Sequence, residues 1–368
     1  MKLRALRWTP TVLTLRRPVQ NARAAFHERR GLLLQLTSDD GLCGRGEVTP
    51  LSEFGTESMG GSLAKLEEAA KRIAALQVPT TVEGVEQLFA NLGDWSTAPA
   101  TRFGLELCVL DLIAQREGLP LARVLSRSAI NSIEVNALLT SRDPEHLVEE
   151  AVEAVSTGYR TLKVKVGGCA LNEDARRLFA VRRSVGPEPK IRIDANGQWT
   201  EAEAATALRG FAPLRLELCE QPVAPTNNSA LRRLRWLVPC KIAADEALAQ
   251  PGGVEALLES DEGPLVEILV LKPAVLGGIL PSLRLARRAD ELGVAAYVTS
   301  ALDGVIARLG AAHLAAALPR NGYACGLGVG ALFSSEPGPD PCPPVRGQIQ
   351  LLEKPGLGVE LGWGCQPS

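Results

Sequence analysis

The chain has 368 residues, 46% of them hydrophobic and 22% charged, so it can bury a large core and resembles neither a disordered tail nor a disulfide-stapled mini-protein. Forty Lys plus Arg against 42 Asp plus Glu leave a formal charge of −2, which gives no long-range attraction to nucleic acid or to an anionic membrane. With three histidines in the whole chain, His-based zinc sites and Ser-His-Asp chemistry are poor readings.

Charge is spread through the first eight residues, which gives no signal-peptide pattern, and no run of 18 or more apolar residues follows. The eight cysteines include no C-x-x-C pair and several sit in apolar runs, which reads as reduced, buried thiols in a cytoplasmic protein. Residues 1 to about 60 read as an antiparallel meander: Leu32–Leu36 leads into the turn Ser38-Asp39-Asp40-Gly41, and Gly44–Val48 follows. From Ser62 to Ser128 the spacing turns helical, through Leu63, Leu66, Ala70 and Ile73, and then Phe103 to Ala114. From Ser132 short apolar strands alternate with helices of about 10 to 15 residues. The expected strands are 132–139, 161–166, 190–194, 215–220, 241–245, 265–271, 294–299 and 322–326. Eight in succession favour a closed (β/α)8 barrel over an open sheet. The expected organisation is an α+β capping domain (1–128), an α/β barrel (129–333) and a Pro-rich tail (334–368) that packs back on the cap.

The strand ends carry the chemistry. Alternation along Thr161–Val166 puts Lys163 and Lys165 on one face and Leu162, Val164 and Val166 on the other. The next strands end in Asp194 with Asn196 just beyond, in Glu220-Gln221-Pro222, in Asp245-Glu246, and in Lys272-Pro273. The steps from Lys165 through Asp194, Glu220 and Asp245 to Lys272 are 29, 26, 25 and 27 residues, each about one βα unit. Taken singly, a strand-end Asp is more often a cap or turn residue and a Lys pair a solvated face. Recurrence at five successive ends is what argues otherwise, because equivalent strand ends converge on the carboxyl-terminal mouth of a barrel.

Three carboxylates, Asp194, Glu220 and Asp245, without His or Cys beside them describe an oxygen site for a hard divalent cation, Mg²⁺ with Mn²⁺ as possible substitute. Only nine of the 40 cationic residues are Lys. A lysine beside another cation in a partly dry cavity can exchange a proton near neutral pH, whereas arginine cannot. Glu246 reads equally as a partner of the site, a helix cap or an Arg partner. His313, inside an apolar helix, reads as a core histidine.

These residues resemble the enolase superfamily, and within it the muconate-lactonising-type subgroup: Lys163-x-Lys165, Asp194-x-Asn196, Glu220-Gln221-Pro222, Asp245-Glu246 and Lys272-Pro273 follow its pattern in order and spacing. The resemblance implies that a cation held by Asp194, Glu220 and Asp245 binds a substrate carboxylate. It implies that Lys165 is the base, that Lys163 orients the carboxylate, and that Lys272 lies on the opposite face as a second acid/base or as a fixed positive charge. The segments Gly46–Ser58, Arg102–Leu107, Thr299–Gly304 and Gly326–Gly328 are most similar to the o-succinylbenzoate synthase family, which dehydrates a small carboxylate in menaquinone biosynthesis. That likeness adds Asn196, Glu246, Ser300 and Asp303 as supporting or substrate-facing residues. The family usually has Glu-Ser where Asp303-Gly304 stand. The Asp-x-Asp of dipeptide epimerases is absent at Gly326-Leu327-Gly328. N-succinylamino acid racemisation, dipeptide epimerisation and muconate-type cycloisomerisation are the rival reactions. A catalytically silent barrel is the rival of another kind, and it predicts loss of a strand-end group, none of which is lost. Specificity is expected in the cap segments 19–30 and 51–58, and oligomeric state is unreadable.

Overall fold

The computed structural model describes residues 2–20, 25–74 and 76–359. The chain opens with three antiparallel strands, β1 (Leu3–Gln20), β2 (Ala25–Ser38) and β3 (Cys43–Val48). Gly41 makes the β2–β3 turn with φ +87°, a conformation that costs glycine little. Helix Pro99–Glu117 lies against β3 unusually closely. A Cβ at Gly44 or Gly46 would fall about 2 Å from the carbonyl oxygens of Cys108 or Gly104. The Gly-x-Gly of β3 is therefore what lets strand and helix pack backbone to backbone.

The rest of the fold is a wheel of parallel strands. After the short β4 (Ser132–Glu134) come β5 (Ala137–Leu139), β6 (Thr161–Lys165), β7 (Lys190–Asp194), β8 (Leu218–Glu220), β9 (Lys241–Ala244), β10 (Ile268–Leu271) and β11 (Ala295–Val298). These seven, β5 to β11, form one parallel sheet in chain order, with helices between them. Alternation sorts their side chains as expected: Leu162, Val164, Ile191, Ile193, Ile242 and Leu269 pack into one buried apolar layer while Lys163, Lys165, Asp194 and Glu220 line a common cavity.

The eighth strand differs from expectation. Residues 322–326 form no strand and close the wheel through two single bridges, Thr299 to Gly326 and Val135 to Cys325. The stretch 132–139 is likewise not one strand. Its first half pairs antiparallel with β13 (Gln348–Gln350) of the tail, its second half joins the barrel, and the break falls at Val135-Asn136. The tail also supplies β12 (Phe333–Ser335) to the edge of the N-terminal sheet, and Leu357 N–H donates 2.8 Å to Asp111 in helix Pro99–Glu117. None of the seven described cysteines forms a disulfide, and Cys365 lies outside the described residues. No helix among the described residues is long and apolar enough to cross a membrane. His313 is a core histidine: its Nδ1 accepts the Ala122 N–H at 3.1 Å, and burial pushes its pKa down to about 4.

Two buried carboxylates from the N-terminal layer reach helix starts in the barrel. Glu106 accepts from Ile279 and Leu280 N–H and pairs with Arg102. Glu47, on β3, accepts from Ile306 and Ala307 N–H at 3.0 and 3.1 Å, at the positive end of helix Val305–Ala317. A Cβ at Gly304 would lie 1.9 Å from Glu47 Oε1. The serine usual at this position in the resembling family has no room here while Glu47 keeps its place.

Candidate active site

Five of the strand-end groups, Lys163, Lys165, Asp194, Glu220 and Lys272, line one cavity of about 70 Å³, and Asp245 lies beside it, paired with Lys272. Lys163 Nζ bridges both oxygens of Glu220 at 2.7 Å and reaches Asp194 Oδ2 at 3.0 Å. Lys165 Nζ lies 3.3 Å from Asp194 Oδ2 and donates to Asn196 Oδ1 at 2.8 Å. Across the cavity Lys272 pairs with Asp245 and sits 4.8 Å from the Phe54 ring.

All three carboxylates are buried. Burial works against ionisation of Asp194, but Lys163 and Lys165 outweigh it and hold its pKa well below the usual carboxylate range. Burial and the repulsion of Asp194 push Glu220 up to about 7, and burial also raises Asp245. Lys163 and Lys272 are pushed up, because their carboxylate partners outweigh the cost of burying an ammonium.

As these side chains are placed, no three His, Cys, Asp or Glu among the described residues stand close enough to hold a metal ion. The ammonium groups of Lys163 and Lys272 occupy the positions against the carboxylates that a cation would compete for. The donor set nonetheless fits a hard cation: three buried carboxylates, two of them raised in pKa by burial among like charges, with Asp194 and Glu220 in the cavity wall and Asp245 beside it, and no sulfur or imidazole donor among the described lining residues.

The loops that carry these groups are held in costly backbone conformations. Asn196, Gln221 and Leu302 have φ of +44°, +37° and +60°, and such strain clusters at functional sites. Gln221 converts it into placement. Its Oε1 accepts from Asp245 and Ala247 N–H at 3.1 and 3.2 Å, while its Nε2 donates to Val223 O at 2.9 Å. The Gln of the Glu-Gln-Pro run thus fixes the loop bearing Asp245, a role that spacing alone did not reveal. Asn196 Nδ2 donates to Glu246 Oε1 at 2.9 Å, so Glu246 acts on Lys165 through Asn196.

Ser300 lines the cavity. Asp303, expected as a supporting or substrate-facing residue, holds Ser300 from behind: its carboxylate accepts from Ser300 Oγ, Ala301 N–H and Thr49 Oγ1 at 3.1, 2.9 and 2.9 Å, tying the loop to the N-terminal layer. Tyr297 was not foreseen, since it lies in an apolar strand. Its hydroxyl donates to Glu220 Oε2 at 2.8 Å, and its ring stacks 4.7 Å from the buried Arg192 guanidinium. Tyr297→Phe should cost about 1.5–3 kcal/mol of stability, the range for a hydrogen bond to a charged group, read as a lower urea midpoint. Val19, Phe26 and Phe54 form the apolar roof of the cavity. Both cap segments expected to carry specificity therefore reach the site, although residues 21–24 lie outside the described residues.

A parallel barrel with buried carboxylates and ammonium groups at its strand ends, under an apolar roof from an N-terminal layer, defines the class of enzyme. Residues 146–364 match the family model described as enolase C-terminal domain-like, and residues 5–126 match that of the mandelate racemase/muconate lactonizing enzyme N-terminal domain. The chain belongs to the enolase superfamily. Among its relatives, the o-succinylbenzoate synthase of Thermobifida fusca is 36% identical over 223 residues, 60% of this chain and 67% of that one. The N-succinyl-L-Arg/Lys racemase of Bacillus cereus is 25% identical over 369 residues, 98% of this chain and 96% of the relative. A solved dipeptide epimerase from Enterococcus faecalis, complexed with Mg and L-Leu-L-Tyr, superimposes with a TM-score of 0.88 at 25% identity, covering 97% of this chain and 99% of that one.

Proposed function

We propose that this enzyme abstracts the proton α to a carboxylate and dehydrates 2-succinyl-6-hydroxy-2,4-cyclohexadiene-1-carboxylate to o-succinylbenzoate. The observation that carries the reading is the placement of Lys163 and Lys165 on one wall of the cavity and Lys272 on another, with the three carboxylates paired to them. Asp194, Glu220 and Asp245 would hold a divalent cation, Mg²⁺, which supplies positive charge to the substrate carboxylate as its α-carbon is deprotonated.

The chain's own residues do the rest. Lys163 orients the carboxylate. Lys165 takes the α-proton, and the electron pair left on carbon spreads into the carboxylate. As the bond from carbon to the 6-hydroxyl breaks, Lys165 returns its proton to the departing oxygen on the same face, releasing water and leaving an aromatic ring. Lys272 stays an ammonium on the other face and balances the negative charge.

The lining favours such a ligand over a dipeptide. Among the described residues its carboxylates are Asp194 and Glu220, both already paired with lysines, which leaves none of these to receive a substrate ammonium. N-succinylamino acid racemisation is the second reading, supported by the near full-length similarity to the Bacillus cereus racemase. Incubating the purified enzyme with the dehydration substrate, with Mg²⁺ and with EDTA, decides between them: o-succinylbenzoate should form only with the metal. Absence of product, together with exchange of the α-proton of N-succinylamino acids in D₂O, replaces the first reading by the second.

A further inference from the structure

Asn136 belongs to none of the strand-end motifs, yet among the described residues it is the polar side chain in the cavity wall with a buried oxygen that has no partner. It precedes β5, and the register that sets Leu138 beside Lys163 places Asn136 on the same inward face as Leu138. Both line the cavity. Its backbone is clamped: the N–H donates 3.0 Å to Cys325 O, and its carbonyl lies 3.2 Å from where a Cβ at Gly328 would be. The residue is 4% exposed, and Oδ1 is buried without a hydrogen bond. Leaving such an acceptor unsatisfied is costly, and native proteins rarely do so without a reason at the site. Among the described residues the lysines and carboxylates of the same wall are all matched to one another, or in the case of Lys272 to Asp245 beside it, so the uncharged carboxamide is the group left needing a partner.

We propose that Asn136 is a substrate-contacting residue that accepts a hydrogen bond from a neutral donor, a hydroxyl or an amide N–H, attached next to the carbon that loses its proton. A carboxamide fits this better than a carboxylate would, because it adds no charge to a cavity already balanced and can reverse donor and acceptor by flipping. The inference rests on the proposed reading only in placing an α-acidic carboxylate in this cavity. A hydroxyl donor is the leaving group of the dehydration substrate; an amide donor is the N–H of an N-succinylamino acid.

The test compares the Mg²⁺-loaded wild type with Asn136→Leu and Asn136→Ala. If the donor is the hydroxyl, both variants lose about 10²-fold in kcat/KM for the dehydration, while affinity for o-succinylbenzoate, which lacks the hydroxyl, stays unchanged. If it is the amide, calorimetry shows wild type binding an N-succinylamino acid at least about tenfold more tightly than the ester analogue in which oxygen replaces N–H, and the variants bind the two equally. Tm should be unchanged or raised in Asn136→Leu, since an unpartnered buried polar group has been removed. Asn136→Ser, which keeps an acceptor oxygen, should recover part of the loss. Unchanged kcat/KM together with an unchanged amide preference, or a Tm fall in both variants that accounts for lost activity, overturns the proposal. If neither substrate is turned over the functional reading fails, and the amide–ester comparison still reports on Asn136.

Discussion

Lys165→Ala is expected to lower kcat for the dehydration by about 10³-fold or more, near the upper part of the range for loss of a positioned general base. Lys165→Arg should be nearly as inactive. It restores the positive charge beside Asp194, but a guanidinium holds its proton too tightly to take another group's and return it. The pair therefore separates base from counter-ion: if the arginine variant keeps most of the activity, Lys165 acts by charge alone and the mechanism is wrong. Stopped-flow measurement of o-succinylbenzoate formation reads both. Lys272→Ala gives the contrast. In a same-face dehydration it loses rate but makes the same product. In a two-base racemisation each lysine variant would keep α-proton exchange for one enantiomer and lose it for the other.

Much of this site was legible in the sequence because the information is local. A strand of period two ending in a charged residue announces which face that residue occupies, and a βα unit of about 26 residues repeats the announcement. Lys163, Lys165, Asp194, Glu220 and Lys272 accordingly line one cavity, and Asp245 meets Lys272 beside it. What was not legible depends on closure. Residues 322–326 look like a strand until the partners on both sides are known, and they then contribute two bridges. Tyr297 and Asn136 reach the site because the wheel closes, and nothing in their neighbours marks them. Whether Asp303 supports the site or faces the substrate was not legible either. Its surroundings resemble a substrate loop, but Thr49, far away in sequence, turns its carboxylate toward the N-terminal layer. The three-carboxylate cation site is legible as a donor set, while the ion pairs that now satisfy those donors follow only from three-dimensional placement.

The second large effect concerns how the N-terminal layer is held to the barrel. Glu47 is buried with Oε1 unpartnered, and its other oxygen accepts from two N–H groups at a helix start. Burial, with repulsion from Asp303 and Glu336, outweighs the Ala307 N–H and Arg308 and pushes the carboxyl from 4.5 up to about 7. Since the folded state binds this proton more tightly than the unfolded chain, the associated stability is present in full below about pH 4.5 and disappears as pH rises through 7. At about 1.36 kcal/mol per pKa unit the difference is about 3 kcal/mol. Glu106 offers a comparison in which an Arg102 partner shares the same kind of helix-start contact. Glu47→Gln keeps an acceptor for Ile306 and Ala307 and cannot ionise. Its urea midpoint should fall less than the wild type's between pH 5 and 8, and at pH 8 the variant should be the more stable of the two. Parallel pH profiles for the two proteins would mean that Glu47 is ionised throughout and that the helix start alone stabilises its charge. Gly304→Ser, which puts an atom where Oε1 lies, should expel Glu47 and lower stability at every pH, and Glu47→Gln should not rescue it, because the amide is no smaller than the carboxylate.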